Sequence, residues 1–169
     1  MITYSRSGRT VRLSALMVLA LLSVAVCTEK TDSKNDSELT DFATRYAAAW
    51  SSQNPEALAS FYAANGSLTV NAGEPSVGRA AIAATAMEFI DAFPNMVVKM
   101  DSVGEEGSHA IFHWTWTGTN TGPGGTGNAV RISGYEEWTF GADGLLVESK
   151  GHYDEAEYQR QMSRDVGRR

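Results

Sequence analysis

From residue 37 onward the apolar positions recur at intervals of three and four. Leu39, Phe42, Ala43, Tyr46, Ala49 and Trp50 fall on one face of a helix, with Ser37 as its N-cap. Asn54-Pro55 opens a second, short helix, because proline suits the first helical position. That helix buries Leu58, Phe61 and Tyr62 and ends at Gly66. Ser67–Asn71 alternates as a short strand and Gly73–Gly78 turns. Arg79 begins a third helix with Ile82, Ala86, Phe89, Ile90 and Phe93 on its buried side, and Pro94 stops it.

Beyond Pro94 the helical period gives way to strict alternation. Met96, Val98 and Met100 alternate with Val97, Lys99 and Asp101, and Gly104–Ser108 turns. Over 109–117, Ala110, Phe112, Trp114 and Trp116 share one face, and His109, Ile111, His113, Thr115 and Thr117 the other. A glycine-rich loop covers 118–129. The strand 130–140 then places Val130, Ile132, Gly134, Glu136, Trp138 and Phe140 together. Ala142-Asp143-Gly144 turns into a last strand, 145–153, and a short helix ends near Met162. Three helices followed by an antiparallel meander predict an α+β domain, with the helices packed on one face of a curved antiparallel sheet.

Residues 13–26 are almost wholly apolar, too few to span a bilayer, which needs roughly 20. Arg6, Arg9 and Arg12 precede them, Cys27 follows, and a polar stretch without a large apolar side chain comes next. This predicts a signal peptide. Its arrangement resembles a lipoprotein precursor, with Cys27 lipidated and the protein held at the membrane of a bacterial cell envelope. A cut after Ala25, giving a secreted form, is the other reading. The organisation is then a signal peptide over 1–27, a polar tether over 28–37, one domain over 38–163 and a tail over 164–169.

Of fourteen basic and twenty acidic residues, three basic and no acidic ones lie within 1–27, which leaves residues 28–169 with a net charge of −9. Such a chain, without a Lys/Arg cluster, is a poor partner for nucleic acid. Cys27 is the only cysteine, so the domain has no internal disulfide and depends on its apolar core.

Four stretches, in order and spacing, resemble the SnoaL-like polyketide cyclase group of the nuclear transport factor 2-like superfamily. They are Tyr46-Ala-Ala-Ala-Trp50, Gly78-Arg79-Ala-Ala-Ile82 leading to Phe93-Pro94-Asn95, Trp116-Thr-Gly-Thr-Asn-Thr-Gly122, and Asp143-Gly144-Leu-Leu-Val-Glu148 with Asp154 and Gln159 to Met162 beyond. The resemblance covers nearly all of the chain after the signal segment and implies a cone-shaped α+β fold. It also implies an acid/base role for Asp154, the position that follows the last strand. Where the cyclases carry a histidine on the preceding strand, this chain has Glu136. Where the related steroid isomerases carry a first-strand aspartate, Leu68–Asn71 offers no carboxylate.

Glu136 shares its face with apolar residues and so points inward, where desolvation raises a carboxyl pKa toward neutrality. The alternative is a structural pair with Lys150 or Arg131. Glu148, Lys150, His152 and Asp154 share one parity. If that face also looks inward, His152 and Asp154 join Glu136 at the mouth of a cavity as candidate catalytic groups. Tyr46, Trp50, Tyr62, Trp114, Trp116 and Trp138 are candidates to line a pocket for a small apolar molecule, with Phe61 and Phe89 also inward. Gly122-Pro-Gly-Gly-Thr-Gly127 fits a dinucleotide fingerprint in letters but not in context, since a strand rather than a helix follows it. It is read as a flexible loop beside the pocket. His109 and His113 lack the helical zinc spacing, and no metal or cofactor is called for. His113, Thr115, Tyr135 and Thr139 give the outward sheet face a mixed character suited to a homodimer. Two function classes follow: an exported binding module, or a cofactor-independent acid/base enzyme, cyclase- or isomerase-like, using Asp154 with Glu136.

Overall fold

The computed structural model describes residues 25–164, with side chains from Asp36 onward. The signal segment before Ala25, the side chain of Cys27 and the tail beyond Arg164 lie outside the described residues. The chain divides into two units, Met1–Asn35 and Asp36–Arg169, and the sheet and the site belong to the second.

The first helix, α1, runs Ala25–Ser51, so Ser37 does not cap it. The polar stretch before Ser37 holds no Gly or Pro, and its Lys and Glu are good helix formers, so nothing local stops a helix there. The second helix, α2 (Pro55–Ala59), begins as expected: the Asn54 side chain accepts from the Ala57 amide and Pro55 takes the first turn. It ends earlier than expected. Tyr62 and Gly66 already belong to strand β1 (Tyr62–Val70), and Gly66 sits at an irregularity where a Cβ would lie 2.6 Å from the Leu146 carbonyl. Its small size serves close backbone approach rather than a helix end.

A short β2 (Ser76–Val77) leads to α3 (Arg79–Ala92), and then come β3 (Val97–Glu106), β4 (His109–Thr119), β5 (Ala129–Phe140), β6 (Leu146–Tyr153) and α4 (Glu155–Met162). The six strands form one sheet in the order β2-β1-β6-β5-β4-β3. It is mixed rather than purely antiparallel, because β6 inserts between β5 and β1 and runs parallel to β1, pairing Leu68 with Ser149 and Val70 with Gly151. Alternation reports which side a residue faces but not which strand lies beside it.

The core lies between the helices and the inner face of the sheet. Tyr46 of α1 packs edge-on against Trp138 (4.9 Å) and Phe112 (5.7 Å), while Phe93, just after α3, meets Trp116 at 4.9 Å. Ala110, Phe112, Trp114 and Trp116 are all buried, as are Val130, Ile132, Glu136 and Trp138, so the expected facing of β4 and β5 holds. α4 folds back on β5 through Gln161, whose amide accepts from the Arg131 N–H and donates to the Arg131 carbonyl. The glycine-rich loop between β4 and β5 is pinned, contrary to expectation. Buried Asn120 donates to the Ala92 carbonyl and accepts from the Thr126 amide, and buried Asn128 donates to the carbonyls of Met162 and Arg164.

Candidate functional site

Strand β5 carries Glu136 into the interior because its neighbours two residues away, Gly134 and Trp138, must face inward too. The side chain is 5% exposed. Its Oε2 accepts three hydrogen bonds, from Ser149 Oγ (2.6 Å), Trp138 Nε1 (2.8 Å) and the Tyr46 hydroxyl (2.9 Å). The Tyr46 hydroxyl also meets that of Tyr62 at 2.7 Å. Among the described residues no protein donor reaches Oε1, and Glu136 forms no ion pair. The alternative pairing with Lys150 or Arg131 is not made: Lys150 lies 3.0 Å from Glu148.

Burial pushes the Glu136 carboxyl above its ordinary pKa. The hydrogen bonds from Ser149, Trp138 and Tyr46 and the field of His152 pull it down without cancelling that effect. Burial, with Glu136 nearby, also pushes the Tyr46 and Tyr62 hydroxyls up, which keeps both protonated as donors.

Glu136 borders a partly open cavity of about 60 Å³, room for a few waters or the head of a small ligand. Trp50, Phe89, Trp114, Trp116 and Tyr153 supply its aromatic walls, and Leu68, Val70, Met96, Val98 and Gly151 the rest. The rings brace one another: Trp50 meets Phe89 at 6.0 Å, Phe89 meets Trp116 at 5.9 Å, and Tyr158 of α4 stacks behind Trp116 at 5.8 Å. The indole N–H groups of Trp114 and Trp116 are buried without a partner. Gly134 opposite Trp114 is obligatory, since a Cβ there would lie 2.6 Å from the indole ring.

Of the six aromatics expected to line a pocket, Trp50, Trp114 and Trp116 do so. Tyr46, Tyr62 and Trp138 are fully buried instead: Tyr46 and Trp138 donate to the Glu136 carboxylate, and Tyr62 meets the Tyr46 hydroxyl. The inward face of β6 is the opposite of the one expected. Past a register irregularity between Leu146 and Glu148, Ser149 and Gly151 are buried and Lys150 is exposed; only Leu146, before it, is buried on the expected parity. Gly151 pairs with Glu136 across the strands, and its missing side chain leaves space over the carboxylate. His152 consequently lies on the outer face, 3.2 Å from Glu137 and stacked on Tyr135 at 4.8 Å. Asp154 is exposed and caps α4, accepting from the Glu157 amide at 2.9 Å. Ser149 and Tyr153 were not singled out from sequence, although the correct parity of β6 would have found both. On the outer face His113 and Tyr135 are exposed, whereas Thr115 is buried between Asp101 and Ser133.

The profile of the SnoaL-like domain family matches residues 43–149. Solved structures share the nuclear transport factor 2-like fold at low sequence identity. A putative SnoaL-like polyketide cyclase from a Jannaschia species is 17% identical, with 77% of this chain and 94% of that chain covered and a TM-score of 0.67. A protein of ketosteroid isomerase-like fold from Catenulispora acidiphila, in complex with trimethylamine, is 19% identical over 73% of this chain and 93% of that one, with a TM-score of 0.65. A phenazine biosynthesis-related protein from Pseudomonas aeruginosa is 14% identical over 80% and 94%, with a TM-score of 0.62. A comparison with curated proteins finds no match. The chain belongs to the SnoaL-like domain family.

Proposed function

We propose that this SnoaL-like domain binds a small, largely apolar molecule in the cavity beside β5, with Glu136 as the polar group that orients it. One observation carries this: Glu136, a buried residue with one carboxylate oxygen that no protein donor reaches, borders a cavity whose other walls are apolar or aromatic. Small-molecule sites are built from such lining, mostly apolar with a few placed polar groups. The trimethylamine complex of the Catenulispora protein, a neighbour in fold, supports the reading. Native mass spectrometry of the purified protein tests it. A small-molecule mass that is lost in Gly151→Leu, which fills the cavity, supports it. Binding that Gly151→Leu leaves unchanged, or a protein that takes up no small molecule, counts against it.

A second reading is favoured by the raised pKa of Glu136, which suits a general acid or base working near neutral pH. The domain is then a cofactor-independent enzyme, cyclase- or isomerase-like, that relies on Glu136 and not on Asp154, which the fold holds at the surface. Loss of turnover in Glu136→Gln with ligand affinity retained would favour this reading over simple binding.

In either reading the protein works in the bacterial cell envelope, exported by the segment over 1–27 and anchored by lipid on Cys27. The arginine-flanked apolar run and the polar stretch after the cysteine support this. It pairs with a second copy through the outward sheet face, where exposed His113 and Tyr135 support an interface of mixed character. Sedimentation that shows a monomer at tens of micromolar would remove the dimer.

A further inference from the structure

Glu136 is a buried carboxylate without a cation. No Lys, Arg or His side chain lines the cavity it borders, and among the described residues none pairs with it. The three donors on Oε2, from Tyr46, Trp138 and Ser149, are neutral dipoles that solvate the charge and leave it uncompensated. His152, among the described residues the one group able to turn positive whose field reaches Glu136, stands on the other face of the sheet beside Glu137. Five aromatic rings wall the same space, Trp114 and Tyr153 meeting at 6.5 Å in addition to the contacts of Trp50, Phe89 and Trp116.

Each kind of occupant meets this lining differently. An anion is repelled by the carboxylate. A neutral molecule fills the space and leaves the charge as it was. A hydrated metal ion finds a single carboxylate among the lining side chains, far short of the six or more oxygen ligands such ions take. A cation with an alkyl shell meets both halves of the site: its methyl groups pack on the rings, the ring faces attract its charge, and the carboxylate neutralises it.

We propose, on the footing of the binding reading above, that the ligand is a small organic ammonium ion, a tertiary or quaternary amine held between the Glu136 carboxylate and the aromatic walls.

Choline and its dimethylbutanol isostere, in which carbon replaces the quaternary nitrogen, differ in charge and hardly in shape. Isothermal titration of the purified protein with each measures the charge contribution directly. Choline is expected to bind about tenfold or more tighter than the isostere, since cation–π attraction and a desolvated carboxylate act together. Glu136→Gln is expected to remove most of that ratio while leaving the affinity of the isostere unchanged. Should Glu136→Gln fail to fold, Gly151→Leu keeps the carboxylate and fills the cavity, and choline binding must then fall.

Equal or tighter binding of the isostere overturns the ammonium assignment and leaves the cavity as a site for neutral molecules. A preference for choline that survives both variants overturns its placement in this cavity. If neither probe binds, the ammonium assignment falls, and native mass spectrometry of the wild type against Gly151→Leu decides separately whether the cavity binds anything.

Discussion

Replacing Glu136 by Gln is expected to make the protein progressively more stable than the wild type as the pH rises. Burial raises the carboxyl pKa in the folded state, and the three hydrogen bonds on Oε2 recover only part of that. In the unfolded chain the same group titrates near its ordinary value of about 4.3. Between that value and the raised one, the folded state holds a proton that the unfolded state has lost. Wild-type stability therefore falls as pH rises through this window and levels off above the folded value. Each tenfold weakening of the acid on folding is equivalent to about 1.4 kcal/mol. Glutamine carries no charge, and its amide oxygen can still accept from Ser149, Trp138 and Tyr46. The groups that set the field are Tyr46 from α1, Tyr62 from β1, Trp138 from β5, and Ser149 and His152 from β6, and none of them changes in the variant. Urea unfolding of both proteins from about pH 4 to about pH 8 gives the difference in stability at each pH. The offset at the acid end reflects how well an amide packs; the slope reports the charge. A difference that stays flat, or one in which the wild type gains with rising pH, would refute the reasoning. The second result would mean that the carboxylate is better solvated inside the protein than in water.

Ser149→Ala removes the shortest donor to Glu136 from a fully buried position, and should destabilise the fold by about 1–3 kcal/mol while raising the Glu136 pKa further. A carbon-detected titration of Glu136 and an unchanged melting temperature are, respectively, the check and the refutation. Gly134→Ala would drive a Cβ against the Trp114 ring and the His152 carbonyl, so it should be destabilising by about 1–3 kcal/mol and shift the indole fluorescence. A silent substitution there would mean the cavity wall is looser than drawn. Asp154→Ala should lower stability by about 1 kcal/mol through loss of the α4 cap, Asp154→Asn should restore most of it, and neither should alter ligand affinity. Loss of binding or turnover in the asparagine variant would return Asp154 to the site. Cys27→Ala should move the protein from the membrane fraction to the soluble one, or leave its precursor unprocessed; an unchanged membrane share would end the lipoprotein reading.

The sequence by itself determined the facing of β4 and β5. Ala110, Phe112, Trp114 and Trp116 on one parity of β4 and Val130, Ile132, Trp138 and Phe140 on one parity of β5, against mostly polar residues on the other, leave a single way to bury them, and Glu136 was carried inward with its neighbours. It likewise determined α3, bounded by Gly78 and Pro94, because those signals act within a few residues of where they stand. The order of motifs was enough to indicate the family. Strand β6 shows where local information ended. Its alternate residues are Glu148, Lys150 and His152 on one side and Val147, Ser149 and Gly151 on the other, with no clear contrast in hydrophobicity to choose between them. Register against β5 chose instead: Gly151 had to lie opposite Glu136, so Ser149 turned inward to the carboxylate and His152 and Asp154 went to the surface. Pairing also placed β6 parallel to β1, strands far apart in the chain. The ring of groups on Glu136 comes from α1, β5 and β6, and the division of the tryptophans between cavity wall and carboxylate support followed from it. Which side a residue faces is a property of its own segment, whereas what it touches there depends on segments that meet only when the whole sheet closes against the helices.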